Sequence, residues 1–380
     1  MHLKGNSLRL LSQKADDLLS FLSRFEPRPF RVTVMPDFFL DRFISWNASV
    51  RHFSKRILEV ANRKGGSIDN VPQIESRGGN AVNTAAALSA LGVDTSLIVC
   101  TSKLGLYLLE LYLRQPNVDL SHVKIQSSAS VTTALEFSHL GEKRNVMLRD
   151  LGSLEDFGPK NLTESDYALL ETTDYVCVFN WAGTRKHGTE LAETIFHHVK
   201  TRGKGKTYFD SADPLPNKLG IPRLVESVLL HPNLIKILSL NENEAITYGL
   251  EVEPKKETEL QQQPSGVPMP TAAKNAWRIL RQKITSRIDL HTTAFSGTSG
   301  RDGETLIPAF GVRVLRATGA GDAWNAANIY ADANDFPDDL RLTFANAAAA
   351  YYLSSKTGEH TTLLQLRDFI EKTLKTATYS

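Results

Sequence analysis

The 380-residue chain is expected to fold as an α/β protein, a doubly wound, mostly parallel sheet flanked by helices with a small β lid. Three observations lead there. Between about residues 175 and 240, β-rich runs alternate with helical patterns, and strands separated by helices pair in parallel through right-handed crossovers. Between about 121 and 150 the period changes to the alternation of a hairpin. Near the C-terminus a turn of small residues, Thr318-Gly319-Ala320-Gly321-Asp322, leads into an alanine-rich helical segment. Ligands of such sheets gather beyond the carboxyl ends of the strands.

The bulk numbers exclude several classes. A hydrophobic content of 41% and a charged content of 23% are those of an ordinary globular protein, so disorder is not expected. A formal net charge of +2 offers no basic field for nucleic acid. The N-terminal apolar cluster Leu18-Leu19-Ser20-Phe21-Leu22 is short and flanked by Asp16, Asp17 and Arg24, so neither a signal peptide nor a membrane span is expected. Cys100 and Cys177 lie in apolar runs and share no motif, which reads as two buried thiols. These features point to a cytoplasmic protein.

Residues 1–29 read as an added helix with Leu8, Leu11, Ala15, Leu18, Leu19 and Leu22 on one face, ended by Pro27 and Pro29. The main domain is expected over 30–380. Phe30 to Val34 is its first strand, and residues 43–77, mixed and polar, supply one lid segment. Arg77 to Gly92 is a helix opened by two glycines and stopped by a third, followed by a β run from Thr95 to Cys100 and a helix over Leu104 to Leu113. The second lid segment, 121–150, holds a hairpin around Gly141-Glu142-Lys143-Arg144. Strands follow at Tyr175 to Phe179, Lys206 to Asp210 and Ile235 to Leu240, with helices over 187–201 and 221–230. Residues 251–270, with several prolines and three consecutive glutamines, read as an exposed mobile insertion. A helix over 272–283, a strand from Ile288 to Phe295, an extended run from Phe310 to Leu315 and helices over Leu340 to Ser354 and Leu363 to Leu374 complete the chain.

Four constellations carry chemistry. Glycines at a helix N-terminus let backbone N–H groups converge on a phosphate or oxyanion, and Asp322 lies in the same first turn. Trp324 stands where a dinucleotide fingerprint needs its third glycine, and no P-loop pattern occurs. Asn241-Glu242-Asn243-Glu244 is a capping box at a strand-to-helix junction; its functional reading puts Glu244 near Mg²⁺, which takes few carboxylates beside substrate phosphates. Gly78-Gly79-Asn80 with Asn83 places two amides on one helix face, suited to a polyol, and Asp41 after the first strand adds a charge-assisted acceptor for hydroxyls.

In this order and spacing, Asp41, Gly78-Gly79-Asn80, Asn241-x-x-Glu244 and Thr318-Gly-Ala-Gly-Asp322 resemble the ribokinase-like (PfkB) family of sugar and nucleoside kinases over about residues 30–375. The resemblance implies an ATP- and Mg²⁺-dependent kinase acting on a hydroxyl of a small sugar-like acceptor. Asp322 would be the base, and the amides of Gly319, Ala320 and Gly321 the anion hole. Asn241 and Glu244 would help hold Mg²⁺. Asn241, Thr318, Gly297, Gly319 and Gly321 would contact the nucleotide. Asp41, Gly78, Gly79, Asn80 and Asn83 would grip the acceptor. Because helix N-terminal amides favour an ionised carboxylate, Asp322 is expected to orient the hydroxyl more than to act as a strong base. Arg316 departs from the pattern: cation-activated members carry there an aspartate that helps hold potassium. It could place a guanidinium near the nucleotide or be a plain surface residue. A nucleoside acceptor stacked on lid aromatics (Phe38, Phe39, Phe43, Trp46, Phe53) and a non-catalytic binding protein are the alternatives. Arg77, Lys143, Arg144 and Arg149 could meet an anionic acceptor, and lids of this family can pair two subunits into a homodimer.

Overall fold

The computed structural model describes residues 5–139, 142–260, 268–300, 303–316 and 318–377. Among these, nine strands form the central sheet. Its order from one edge is Gly303–Pro308, Phe295–Gly300, Arg287–His291, Ile237–Leu240, Lys206–Asp210, Tyr175–Phe179, Arg31–Met35, Asp94–Leu97, Val118–Asp119. All neighbours are parallel except the two pairs made by Phe295–Gly300.

The strands are apolar on both faces because helices cover both. In Tyr175–Phe179 every residue is buried; Tyr175, Cys177 and Phe179 point into one core and Val176 and Val178 into the other. Helices Gly5–Leu22, Asn80–Ala90, Ala320–Ala333, Asp338–Ser354 and Leu363–Ala377 close the first core. Helices Glu164–Thr172, Gly188–Arg202, Glu242–Val252 and Met269–Lys283 close the second. Both cysteines are buried and unpaired. No helix among the described residues is long and apolar enough to cross a membrane.

The chain leaves the first strand at Met35 and enters the lid at Phe39. The lid is a second sheet, ordered Gln73–Gly78, Phe39–Ser49, Ser130–His139, Glu142–Asp150, with the two central strands parallel and the outer pairs antiparallel. It thus starts before residue 43, and residues 50–62 within the expected lid segment are an amphipathic helix with no buried residue.

Several elements differ from expectation. The N-terminal helix is less an addition than part of the core: Leu11, Ala15, Leu18 and Leu22 are buried and Lys14 Nζ lies 2.7 Å from Asp339. Ile288 to Phe295 is not one strand, because Thr292 turns the chain, accepting from Phe295 N at 2.9 Å through its hydroxyl, and starts an antiparallel hairpin. Phe310 to Leu315 forms no strand; Leu315 N instead donates to Leu353 O at 2.8 Å, tying the approach to the Gly319 turn onto the end of a helix. In the expected insertion, Glu257–Leu260 is helical with Leu260 fully buried, and Met269 opens the next helix. Residues 261–267 of that segment lie outside the described residues.

Candidate active site

The carboxyl ends of the central strands and the inner face of the lid enclose a cavity of about 330 Å³. Its floor holds Asp322, buried in the first turn of helix Ala320–Ala333. Gly319 makes this possible: its φ of +97° is left-handed, and a Cβ there would meet the Tyr352 hydroxyl at 2.5 Å. That hydroxyl donates to Thr318 O at 2.9 Å and fixes the turn from behind.

Both oxygens of Asp322 are held from the helix opened by Gly79. Asn80 Nδ2 donates to Oδ1 at 2.9 Å and Asn83 Nδ2 to Oδ2 at 3.0 Å. The two asparagines line the cavity, as expected, and their Nδ2 donors are engaged by Asp322. Burial pushes the Asp322 carboxyl well above the usual carboxylate range; Asn83 opposes this, Asp210 and Asp37 add to it, and Asn80 opposes it. Burial outweighs the helix N-terminus and disfavours the ionised form of Asp322.

That asparagine helix is positioned by Asp37, which was not singled out in the sequence. Gly79, at φ +95°, caps the helix without a side chain, and Asp37 supplies the missing acceptor. It accepts from Asn80 N at 2.8 Å, Ala81 N at 2.9 Å and Asn180 Nδ2 at 2.7 Å, fully buried. An aspartate two residues past a strand, with an uncapped Gly-Gly-Asn start elsewhere, was the available signal. Asn180 had none, since its role depends on the end of a distant strand.

The capping box at Asn241 forms in full. Asn241 N donates to Glu244 Oε2 at 2.8 Å, Asn241 Nδ2 to Oε1 at 2.6 Å, and Glu244 N to Asn241 Oδ1 at 3.1 Å. Asn241 lines the cavity, while Glu244 stands behind it, buried. Nearby Asp210 accepts from Asn325 Nδ2 at 2.6 Å and Ala212 N at 2.9 Å, and Asp213 lines the cavity. Burial raises the carboxyls of Glu244 and Asp210, and Asp210 and Asp213 raise Glu244 further. No group of three His, Cys, Asp or Glu among the described residues forms a ready-made metal cage. The donor set nonetheless fits a water-retaining Mg²⁺, which takes one or two carboxylates beside substrate phosphates, Asp213 lining the cavity next to Asn241.

Asp41 stands on the lid side. Gly78 does not face the cavity; it lies under Asp41, and a Cβ there would fall 2.1 Å from the carboxylate. Burial raises the Asp41 pKa to about 6, while a hydrogen bond from Thr132 and the charges of Arg149 and Arg316 lower it. Arg316 is half-buried at the lid rather than a plain surface residue. It packs over the Phe43 ring at 5.4 Å and reaches Ser76 Oγ at 3.4 Å. Of the four basic residues considered for an anionic acceptor, Arg149 lines the cavity. Of the lid aromatics, Phe39 and Phe43 line it, whereas Phe38 is buried below and Trp46 packs on Phe53.

Behind the Gly319 turn lies a second slot of about 240 Å³, lined by His291, Phe310, Ala320, Gly321, Trp324 and Ala350 among others. Gly321 borders both cavities. His291 stacks on Trp324 with ring centroids 4.9 Å apart; burial lowers its pKa to about 4, and its Nε2 is buried without a partner. Gly297 is not part of this slot: it is buried in its strand, and a Cβ there would meet Leu306 at 2.8 Å and Trp277 at 3.2 Å.

A mostly parallel nine-stranded body, a four-stranded lid and a pocket between them define a ribokinase-like fold. The structure superposes on Arabidopsis thaliana ribokinase complexed with ribose and ATP with a TM-score of 0.67 and 16% identity, over 92% of this chain and 99% of that one. Ribokinase II of E. coli in complex with ATP and Mg²⁺ gives 0.65 and 15%, over 91% and 100%. A Methanocaldococcus jannaschii nucleoside kinase, an archaeal member of the ribokinase family, gives 0.62 and 15%, again over 91% and 100%. No family sequence model matches the chain, and no curated protein matches it in sequence.

Proposed function

We propose that the protein is an ATP- and Mg²⁺-dependent phosphotransferase that phosphorylates a hydroxyl of a small sugar or sugar-derived acceptor. One observation carries the reading: a buried carboxylate, Asp322, whose two oxygens are held by Asn80 and Asn83, at a helix N-terminus that borders two cavities through Gly321. The acceptor belongs in the cavity under the lid, in keeping with the ribose and ATP bound by the Arabidopsis thaliana ribokinase of the same fold, and ATP in the slot behind the turn, where Trp324, His291 and Phe310 offer apolar surface.

In this reading Asp322 takes the proton from the acceptor hydroxyl as that oxygen attacks the γ-phosphorus of ATP. The phosphoryl group passes to the acceptor and ADP leaves. The N–H groups at Gly319, Ala320 and Gly321 stabilise charge on the group in transit. Asp41 accepts from acceptor hydroxyls. Asn241 and Asp213, supported by Glu244 and Asp210, would hold Mg²⁺, which supplies charge neutralisation at the phosphates. A nucleoside acceptor is the second reading, favoured by the apolar strip of Phe43, Ala134 and Met147 along the lid, where a base could lie.

The test is a panel of sugars, sugar acids, sugar phosphates and nucleosides in a coupled ADP-release assay, with the phosphorylated product confirmed by mass spectrometry. Acceptor-dependent ADP release supports the reading. Tight ATP binding with no phosphorylated product from any class would overturn it in favour of a non-catalytic binding protein.

A further inference from the structure

Rows of side chains across the inner lid face narrow the acceptor further, and this step rests on the pocket being an acceptor site. Phe39, Asp41 and Phe43 alternate along one strand and so share one face. Register carries each row across the sheet: Asp41 pairs with Thr132 and Thr132 with Arg149, while Phe43 pairs with Ala134 and Ala134 with Met147. All six line the cavity. One row is therefore carboxylate, hydroxyl, guanidinium. The next is phenyl, methyl, thioether.

Arg149 closes the polar row. Its guanidinium carbon lies over the Phe39 ring, 4.8 Å from the centroid, a contact that uses the charge and not the N–H donors. It makes no hydrogen bond or ion pair within the described residues. It also borders a second, open cleft of about 440 Å³ lined by Met147, Asp150, Leu151, Glu155, Arg185 and Pro216. In that cleft Asp150 is engaged by Gly152 N at 2.9 Å, and Arg185 is tethered through Nε to Ala182 O at 3.4 Å. Glu155 is the remaining acid there. The floor and lid of the acceptor cavity otherwise present Asp41, Asp213 and Asp322, so one cation stands at the mouth of an acidic pocket and opens outward toward a second.

We infer that the acceptor is an anionic polyol, a sugar acid or a sugar phosphate, whose hydroxyls meet Asp41 and Thr132 and whose acid group is bound by Arg149. A neutral polyol would leave the stacked guanidinium unused. A carboxylate close to the hydroxyls reaches Arg149 alone; a phosphate extending into the open cleft meets Arg185 as well.

The experiment compares matched acceptors, an aldonate against its alditol and a hexose phosphate against its hexose, by calorimetric binding and by phosphorylation. Wild type, Arg149→Lys, Arg149→Leu and Arg185→Ala are compared. The expected result is a preference of wild type for the acid of a pair, falling by roughly 10- to 100-fold in Arg149→Leu, as loss of a charge-assisted hydrogen bond implies, and partly kept in Arg149→Lys. A further loss in Arg185→Ala with phosphates alone identifies the phosphate; no loss there identifies the carboxylate. Equal loss for acid and neutral partners in Arg149→Leu overturns the inference and leaves Arg149 as a counter-charge for Asp41. Binding without turnover that keeps the acid preference sinks the kinase reading while sustaining this one. Absence of any acid preference in wild type sinks this one alone.

Discussion

The floor and the lid wall of the pocket are built on opposite principles. The floor gathers Asp37, Asp210, Glu244 and Asp322, all nearly or fully buried, and fixes each by backbone N–H groups or asparagine amides. The wall is an open sheet face where two arginine–phenylalanine stacks, Arg149 on Phe39 and Arg316 on Phe43, flank Asp41. Burial makes the carboxyls of both sides reluctant to ionise, but at Asp41 a Thr132 hydrogen bond and the charges of Arg149 and Arg316 oppose it and hold the rise to about 6, whereas Asp322 is pushed well above the usual range. The floor is suited to moving a proton and a phosphoryl group; the wall is suited to choosing a molecule. Mutations should therefore separate kcat from KM according to the side they strike.

The sharpest break is Asp322→Asn. Loss of the base should lower kcat by about 10²- to 10⁴-fold with little change in acceptor KM. The same variant keeps ATP binding, measured by calorimetry. Wild-type turnover in Asp322→Asn would move the base elsewhere on the floor.

The contrast also explains what the sequence made legible. The floor residues Asp322, Asn80, Asn83, Asn241 and Glu244 lie in short motifs at strand-to-helix junctions, where local chemistry demands small residues and caps. Their side-chain partners were less accessible: nothing local says that Asn80 and Asn83 turn to an aspartate more than 200 residues away. The parallel strands Arg31–Met35, Tyr175–Phe179 and Ile237–Leu240 were legible because their runs are largely apolar on both faces. The hairpin after Arg287–His291 was not, since Ile288 to Phe295 is apolar enough to pass for one strand and only the Thr292 hydroxyl breaks it. On the wall, Arg149 shares a row with Asp41 through two strand registers that local periodicity cannot supply. Gly297 lies outside both cavities, and a glycine required by Leu306 and Trp277 packing looks the same in sequence as one required by a phosphate.

Glu244→Gln tests whether the crowding of acids behind Asn241 serves a cation. Glutamine can keep the bond from Asn241 N through its amide oxygen but loses the one from Asn241 Nδ2 together with the charge, so the requirement for Mg²⁺ should rise by about 10- to 100-fold, as for other supporting residues of metal sites. Chelation should abolish turnover in both proteins. Stability should move the other way. The folded pKa of Glu244 is raised, so its favourable share of stability is present below the ordinary glutamate pKa and is lost as pH rises through the folded value. The melting temperature of Glu244→Gln relative to wild type should therefore climb across that window. A fall would show that Glu244 is stabilising without metal.

On the wall, Gly78→Ala drives a Cβ into the space of the Asp41 carboxylate, 2.1 Å from Oδ2. Acceptor KM should increase about tenfold, the value of a hydrogen bond to a charged group, with a much smaller change in kcat. In wild type the same KM should rise as pH falls through about 6, where Asp41 takes up a proton. A Gly78→Ala effect confined to kcat would put Asp41 on the catalytic side of the division.

The smallest effect is the most specific to the floor. Asn83 Nδ2 donates to Asp322 Oδ2 and is the largest influence opposing the upward push of burial on that carboxyl. Asn83→Ala removes this donor, so the Asp322 pKa must move further up. A base acts when ionised, so kcat is present above the pKa and is lost as pH falls through it; the acid limb of the kcat profile therefore shifts to higher pH in the variant. At high pH, where both proteins are ionised, kcat should fall less than about tenfold, because Asn80 still orients the other oxygen. If Asn83 instead bound the acceptor, as its place three residues after Asn80 on one helix face first implied, KM would rise and the acid limb would stay where it was. The two outcomes differ in which parameter moves, and a single pH series of kcat and KM on this variant separates them.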